Sequence, residues 1–122
     1  QVFQGSIVSY SNELKNSLLN ISEERLTRYG AVSEEICEDM AINVKKKLGA
    51  DWSIAISGIA GPNGGSQEKP IGLVHISISG PNNHITNIKK TFNTTRNRIE
   101  IQTLSVNVCL NSLRLILLSS SK

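Results

Sequence analysis

Residues 33–57 read SEEICEDMAINVKKKLGADWSIAIS, and this stretch decides the fold. Its first part predicts a helix over residues 33–48, with Ser33 as the N-cap and Gly49 as the left-handed stop. The apolar side chains recur at helical spacing and share one face: Ile36, Cys37, Met40, Ala41, Val44 and Leu48. Residues 52–57 then alternate large and small side chains, which is typical of a strand. A helix followed by a strand in this way indicates an α/β fold.

The sequence on either side continues this alternation of strands and helices. Further strands are predicted at residues 2–10, 72–79 and 85–92, and further helices at 12–19, 22–29 and from Thr94 or Thr95 to about Leu118. The turn at residues 80–83 joins the last two strands as an antiparallel hairpin. In the last helix, the residues expected to face inward are Ile99, Val106, Leu110, Leu113 and Leu117. We expect a three-layer α/β/α sandwich with a mixed sheet over residues 1–118, and a frayed tail at 119–122.

The composition suits one folded domain and argues against several kinds of partner. Of the 122 residues, 39% are hydrophobic and 19% are charged, which is not the composition of a disordered chain. A net charge of +3 and an aromatic content of 4% offer neither a basic stripe nor rings for stacking bases, so we expect no nucleic-acid binding. No apolar run approaches the roughly 20 residues of a membrane span, and no signal peptide opens the chain. Cys37 and Cys109 form no C-x-x-C pair, which predicts the reducing cytoplasm and no metal site.

A glycine-rich loop follows the strand at residues 52–57. Residues 57–72 contain five of the nine glycines and two of the three prolines. Glycine lets the backbone approach a ligand and point N–H groups at an anion, and Lys69 adds a positive charge. The loop is neither a Walker A motif nor a dinucleotide fingerprint. A connection that only needs special backbone angles is the alternative, and the composition leaves both interpretations open.

A second cluster, Tyr10-Ser11-Asn12-Glu13-Leu14-Lys15, lies where a predicted strand meets a helix. A lysine can act as a base only when it is neutral, so burial or a nearby cation must lower its pKa. In the alternative interpretation, Tyr10 packs and Lys15 is solvated. Arg96 and Arg98 stand near the start of the last helix, where they could bind an anion together with free backbone amides.

Three motifs, in this order, resemble the CinA C-terminal domain family of competence/damage-inducible proteins and nicotinamide-nucleotide amidohydrolases. They are Tyr10-Ser11-Asn12-Glu13-Leu14-Lys15, then Gly30-Ala31-Val32-Ser33-Glu34, then Ser57-Gly58-Ile59-Ala60-Gly61-Pro62-Asn63-Gly64-Gly65 with Glu68-Lys69-Pro70-Ile71-Gly72. The resemblance runs from Gln1 to about Leu118.

The resemblance implies an α/β/α domain that hydrolyses the carboxamide of nicotinamide mononucleotide, giving nicotinic acid mononucleotide and ammonia in pyridine-nucleotide salvage. The family mechanism uses a serine nucleophile, a lysine base and a nearby tyrosine, and Lys15 and Tyr10 match the last two. The residues implied to bind substrate are Ser57, Gly58, Ala60, Gly61, Gly64, Gly65, Lys69 and Arg96, the last one at the phosphate. We expect Tyr10, Lys15, the loop and Arg96 to line one pocket. The resemblance implies no cofactor. It leaves the oligomeric state open, with a homo-oligomer as one alternative.

The sequence departs from the family pattern in two places. The family's serine lies in a Glu-Ser-Cys-Thr-Gly-Gly segment upstream of the position that matches Gln1, so we expect that segment, with its helix and strand, to be absent from these 122 residues. Thr94 stands where the family has a glycine two residues before the arginine that Arg96 matches. The alternative to an amidohydrolase is a non-catalytic nucleotide-binding or assembly module on the same scaffold.

Overall fold

The computed structural model describes residues 2–93 and 95–120, and within them it has four helices and three strands. The helices are α1 (Asn12–Leu19), α2 (Glu23–Tyr29), α3 (Glu34–Leu48) and α4 (Arg98–Ser120). The strands are β1 (Ser53–Gly58), β2 (Leu73–Ser79) and β3 (Ile85–Thr91). The predicted α/β class is confirmed, and every one of these elements lies within a few residues of its predicted position.

Each of the first three helices begins at a serine. The hydroxyl oxygen of Ser11 accepts from the Leu14 amide at 3.1 Å, that of Ser22 from the Arg25 amide at 3.2 Å, and that of Ser33 from the Ile36 amide at 3.3 Å. These bonds satisfy amides that have no partner inside the helix. The predicted stop of α3 is also present, because Gly49 adopts the left-handed conformation with φ of 62°.

The three strands form one antiparallel sheet in the order β1-β2-β3. The central strand β2 has a neighbouring strand on each edge and is buried along almost its whole length. At the predicted hairpin between β2 and β3, the Gly80 amide donates to the His84 carbonyl at 2.9 Å, and Asn82 and Asn83 take positive φ. The described residues therefore give an antiparallel sheet where a mixed one was expected.

The strand predicted at residues 2–10 does not form. The segment lies against the protein in irregular conformation, with Gly5, Ile7 and Ser9 partly buried and the residues between them exposed. The sequence suggested a strand because Ile7 and Val8 stand between small residues. A strand also needs a neighbour to share its hydrogen bonds, and the sheet of the described residues contains only β1, β2 and β3.

The chain divides into two compact units. The first comprises residues 1–57 and 75–88, and its core joins α1, α2 and α3 through Leu19, Ile21, Leu26 and Ile36, each at most 5% exposed. Ile7, Met40 and Val44 pack against this cluster. A second cluster in the same unit joins Cys37, Ala41 and Ala55, so the predicted inward face of α3 is confirmed at its most buried positions.

The second unit comprises residues 58–74 and 89–122, and it contains the glycine-rich loop and α4. The sequence predicted a cap at Thr94, which lies outside the described residues, or at Thr95. The observed cap is Asn97, whose side-chain oxygen accepts from the Glu100 amide at 2.9 Å while the Glu100 carboxylate accepts from the Asn97 amide at 3.2 Å. This reciprocal pair is a capping box, and it lies two residues after Thr95, so that the helix begins at Arg98.

The predicted inward face of α4 is wrong. The residues buried on this helix are Ile101, Ser105 and Cys109, whereas Ile99 and Leu110 are 73% and 59% exposed. Helix α4 carries apolar side chains on more than one side. Of the residues that the sequence pattern singled out, Leu113 is partly buried and the other four are exposed. The helix also continues through Ser120, beyond the predicted end near Leu118. By length and composition, it is the one helix of the described residues that could cross a membrane, a criterion that a helix of a soluble protein can also meet.

Candidate functional site

Lys15 is buried in the first unit. It lies in α1, is 7% exposed, and its Nζ donates to the Ser9 carbonyl at 2.6 Å. The helix places it there because Ser11 caps α1 and the side chain one turn later points back over the segment that enters the helix. Tyr10 is 85% exposed. The alternative in which Tyr10 packs and Lys15 is solvated is therefore wrong on both residues.

Burial changes the acid–base behaviour of Lys15. Loss of solvent disfavours the charged ammonium, and this desolvation lowers the pKa of Lys15 from its ordinary value of 10.5. Within the first unit, the amine donates its hydrogen bond to a neutral carbonyl. A neutral amine at this position can keep one N–H on the Ser9 carbonyl and still accept a proton from another group.

Ser57 lies in β1 and is the last residue of the segment 1–57 of the first unit. Its hydroxyl donates to the Ala31 carbonyl at 2.7 Å. A carbonyl oxygen holds this hydrogen bond but cannot remove the proton, so the bond does not activate Ser57 as a nucleophile. The hydroxyl oxygen keeps its capacity to accept a hydrogen bond. This arrangement suits a positioning or assisting role.

In the second unit, the loop between β1 and β2 is held by its own backbone. The Gly72 amide donates to the Ile59 carbonyl at 2.7 Å, and the Ser66 amide donates to the Lys69 carbonyl at 2.8 Å. The loop glycines with positive φ are Gly61, Gly64, Gly65 and Gly72, at 82°, 80°, 96° and 96°. Residues 62–68 are exposed. The loop therefore does contain the backbone angles that favour glycine, as one interpretation of the sequence expected. It also has an exposed stretch that a ligand can reach, as the other interpretation requires.

The two arginines near the start of α4 do different things. Arg98 donates from its guanidinium to the Gly61 carbonyl at 3.0 Å and so ties the helix to the loop. Arg96 has its Nη1 at 3.6 Å from the Glu100 carboxylate, with 45% of its side chain exposed. The sequence offered both only as anion ligands, and nothing in their spacing indicated that Arg98 holds the loop.

The sequence-predicted residues fall into two groups. Tyr10, Lys15 and Ser57 belong to the first unit, whereas Gly58, Ala60, Gly61, Gly64, Gly65, Lys69 and Arg96 belong to the second. The expectation that both groups line one pocket stays a prediction. In the part of the chain that the structure describes, no three His, Cys, Asp or Glu side chains are grouped to hold a metal ion.

Cys37, the cysteine of the first unit, is fully buried. Its Sγ lies 3.3 Å from the carbonyls of Ala55 and His75, and burial raises the pKa of the thiol to about 11. A protonated, enclosed thiol is a small core group rather than a nucleophile. This agrees with the structural role expected from the sequence.

Comparisons with known proteins give a consistent family. The family model described as the CinA C-terminal domain matches residues 1–117. A CinA-like protein of Prochlorococcus marinus strain AS9601 is 85% identical over 122 residues, which is 100% of this chain and 29% of that protein. A CinA-like protein of Trichormus variabilis is 46% identical over 92% of this chain and 27% of its own length. The chain thus spans less than a third of these relatives.

Solved structures agree with the sequence comparisons. The chain is similar to the competence/damage-inducible protein CihA of Agrobacterium tumefaciens, with a TM-score of 0.83 and 35% identity over 87% of this chain and 64% of that one. It is also similar to a CinA superfamily protein of Escherichia coli, with a TM-score of 0.82 and 29% identity over 88% of this chain and 61% of that one.

Proposed function

The chain belongs to the CinA C-terminal domain family, and from that premise we propose that the protein hydrolyses the carboxamide of nicotinamide mononucleotide. The products are nicotinic acid mononucleotide and ammonia. Because the chain spans 29% of its relative from Prochlorococcus marinus AS9601, the proposal concerns a longer protein in which these residues form part of the amidohydrolase domain.

The observation that carries the proposal is the buried amine of Lys15. It is 7% exposed, its pKa is lowered by desolvation, and its recorded partner is an uncharged carbonyl. A lysine kept for solubility or surface charge pairing would be solvated, so burial of this one needs another reason. General-base catalysis by lysine requires an amine that can lose its proton and that is held in a fixed position. The lowered pKa favours the first and the hydrogen bond to the Ser9 carbonyl the second.

The chemistry assigns Lys15 four proton transfers, two in each half of the reaction. The serine of the upstream family segment attacks the carboxamide carbon, and Lys15 takes the hydroxyl proton. The tetrahedral intermediate then expels the amide nitrogen, which receives that proton and leaves as ammonia. A water molecule attacks the resulting ester, gives its proton to the same amine, and releases the carboxylic acid while the serine recovers its hydrogen.

Tyr10 and Ser57 serve this reaction as hydrogen-bonding groups. The exposed Tyr10 side chain can reach a bound ligand, since it is not committed to the core. The Ser57 hydroxyl is oriented by its bond to the Ala31 carbonyl and keeps an acceptor site for the substrate or a water.

We assign the substrate phosphate to the second unit. The open glycine loop offers backbone amides, Lys69 contributes a positive charge, and Arg96 has an exposed guanidinium within reach of solvent. Arg98 supports this assignment indirectly because its hydrogen bond to the Gly61 carbonyl fixes one end of the loop.

The proposal is tested by incubating the N-terminally extended protein with nicotinamide mononucleotide and following ammonia and nicotinic acid mononucleotide together. We expect the two products in equal amounts. Binding of the mononucleotide without release of ammonia would instead support the non-catalytic nucleotide-binding module.

A further inference from the structure

The 122 residues contain one Asn-Gly pair, Asn63-Gly64, and it lies in the glycine-rich loop. The side-chain amide of an asparagine can be attacked by the backbone nitrogen of the residue that follows it. Glycine hinders this attack least, because it has no Cβ and lets the backbone turn freely. A backbone nitrogen that already donates a hydrogen bond must first give it up, so the folded structure decides which asparagines are reactive.

The backbone nitrogen of Gly64 is available for this attack. Among the described residues, neither the Gly64 amide nor the Asn63 side chain has a hydrogen-bond partner. The space around Gly64 is also open, since a Cβ built there would make only a 3.7 Å contact with Ile59. Hydrogen bonds anchor the loop at Gly61 and at Ser66, on either side of the pair, and leave the pair itself unheld.

We propose that Asn63 is a site of spontaneous deamidation. The Gly64 nitrogen attacks Cγ of Asn63 and forms a new C–N bond. The bond between Cγ and Nδ2 breaks, and the side-chain nitrogen leaves as ammonia with the proton that the Gly64 amide gives up. Water then adds to either carbonyl of the resulting succinimide ring, leaving aspartate or, when the main chain runs through Cγ, isoaspartate. The reaction consumes a water molecule, releases ammonia, and needs no oxidant or reductant.

Asn83 shows the opposite arrangement. It is exposed like Asn63 and lies in the turn between β2 and β3. The backbone nitrogen that follows it belongs to His84 and donates to the Pro81 carbonyl at 3.1 Å. The bond from the Gly80 amide to the His84 carbonyl closes the same turn. Attack on Asn83 must first open this turn, so we expect Asn83 to stay unmodified while Asn63 reacts.

The reaction changes the charge of the loop. It replaces a neutral side chain with a carboxylate and lowers the formal net charge of +3 by one. The proposed function assigns the substrate phosphate to this loop, and a carboxylate there repels a phosphate. The effect on substrate binding rests on that proposed function, whereas the deamidation itself does not. We expect the modified protein to bind nicotinamide mononucleotide less tightly than the unmodified protein.

Peptide mapping by mass spectrometry tests the site. The 122-residue chain and the N-terminally extended protein are each incubated at mildly alkaline pH, and the peptides that contain Asn63 and Asn83 are compared over time. We expect aspartate and isoaspartate to accumulate at residue 63 in both proteins, with the reaction at residue 83 at least about tenfold slower. Gly64→Ala should slow the reaction at residue 63 by about tenfold or more, because a Cβ hinders the attack.

His84→Gly separates the effect of the fold from that of the sequence. This variant creates a second Asn-Gly pair inside the turn between β2 and β3, where the backbone nitrogen of residue 84 keeps its bond to the Pro81 carbonyl. We expect residue 63 of the folded variant to react at least about tenfold faster than residue 83, and the two rates to converge when the variant is unfolded in urea.

Three outcomes contradict this account of Asn63. An unmodified Asn63 in the N-terminally extended protein would overturn the proposal, and so would equal rates at residues 63 and 83 of folded His84→Gly. Aspartate without isoaspartate would overturn the succinimide route, because direct hydrolysis of the side chain gives aspartate alone.

Asn63→Asp tests the consequence for substrate binding. In the N-terminally extended protein, it should raise the KM for nicotinamide mononucleotide several-fold and leave the KM for nicotinamide riboside unchanged. An unchanged KM for the mononucleotide would contradict the repulsion between the new carboxylate and the phosphate. An extended wild-type protein that releases no ammonia would instead contradict the proposed function, and the modification at Asn63 would still be decided by the peptide masses.

Discussion

At the residue scale, the decisive feature is the contrast between Lys15 and Tyr10. The sequence placed them at one helix entrance but could not decide which of the two is buried. Burial depends on how the segment at residues 2–10 lies against α1, and that is a tertiary contact without a local signal. The structure buries the lysine amine against the Ser9 carbonyl and exposes the tyrosine.

The two arginines near α4 predict different kinetic effects. Arg96→Ala should raise the KM for nicotinamide mononucleotide far more than the KM for nicotinamide riboside, because a charge-assisted bond to phosphate contributes about 1.5–3 kcal/mol. Arg98→Ala should change both KM values by a similar factor, since Arg98 holds the loop through Gly61 rather than the ligand. Steady-state kinetics on the two substrates checks this. Equal effects of Arg96→Ala on both substrates would make Arg96 a structural residue.

At the element scale, the sequence predicted what is local. The Ser33 cap of α3, the glycine stop at Gly49 and the β2–β3 hairpin each depend on a few neighbouring residues, and all are present. The inward face of α4 could not be predicted in this way. That helix has two apolar sides, and only packing within the second unit decides that Ile101 and Cys109 are the buried ones.

The capping box of α4 predicts a measurable stability contribution. Asn97→Ala removes the acceptor for the Glu100 amide and should lower the free energy of unfolding by about 1 kcal/mol. Gln102→Ala, at an exposed position inside the same helix, should be nearly neutral because alanine has high helix propensity. Urea denaturation of the two variants provides the comparison, and equal stabilities would argue against a capping role for Asn97.

The loop glycines predict two sizes of effect. A Cβ at Gly72 would collide with the backbone carbonyl oxygen of Phe92, whereas a Cβ at Gly64 would make only an ordinary 3.7 Å contact with Ile59. Both glycines have positive φ, so both alanine variants carry backbone strain of about 1–2 kcal/mol. Gly72→Ala should cost clearly more, about 3 kcal/mol or above, because backbone cannot move aside as a side chain does. Similar unfolding free energies for the two variants would contradict this explanation.

At the scale of the whole molecule, the α/β class and the family could be predicted, whereas the absence of residues 2–10 from the sheet could not. The segment at residues 2–10 has a strand-like pattern, but pairing is a long-range event that needs a neighbouring strand. The same reasoning applies to activity. We expect the 122 residues alone to release no ammonia from nicotinamide mononucleotide, while the N-terminally extended protein does. Hydrolysis by the 122 residues at the extended protein's rate, lost on Ser57→Ala, would make Ser57 the nucleophile.

The most direct measurement is the turnover number for ammonia release by the extended protein with Lys15 replaced. Lys15→Met keeps the length of the side chain without a base, and Lys15→Arg keeps a charge that cannot be lost near neutral pH. We predict that both variants stay folded by circular dichroism and lose about 10²-fold or more of the turnover. The wild-type rate should fall as the pH drops through the lowered pKa of Lys15, since protonation removes the base. A Lys15→Arg or Lys15→Met protein that turns over substrate at the wild-type rate would contradict the assignment of Lys15 as the general base.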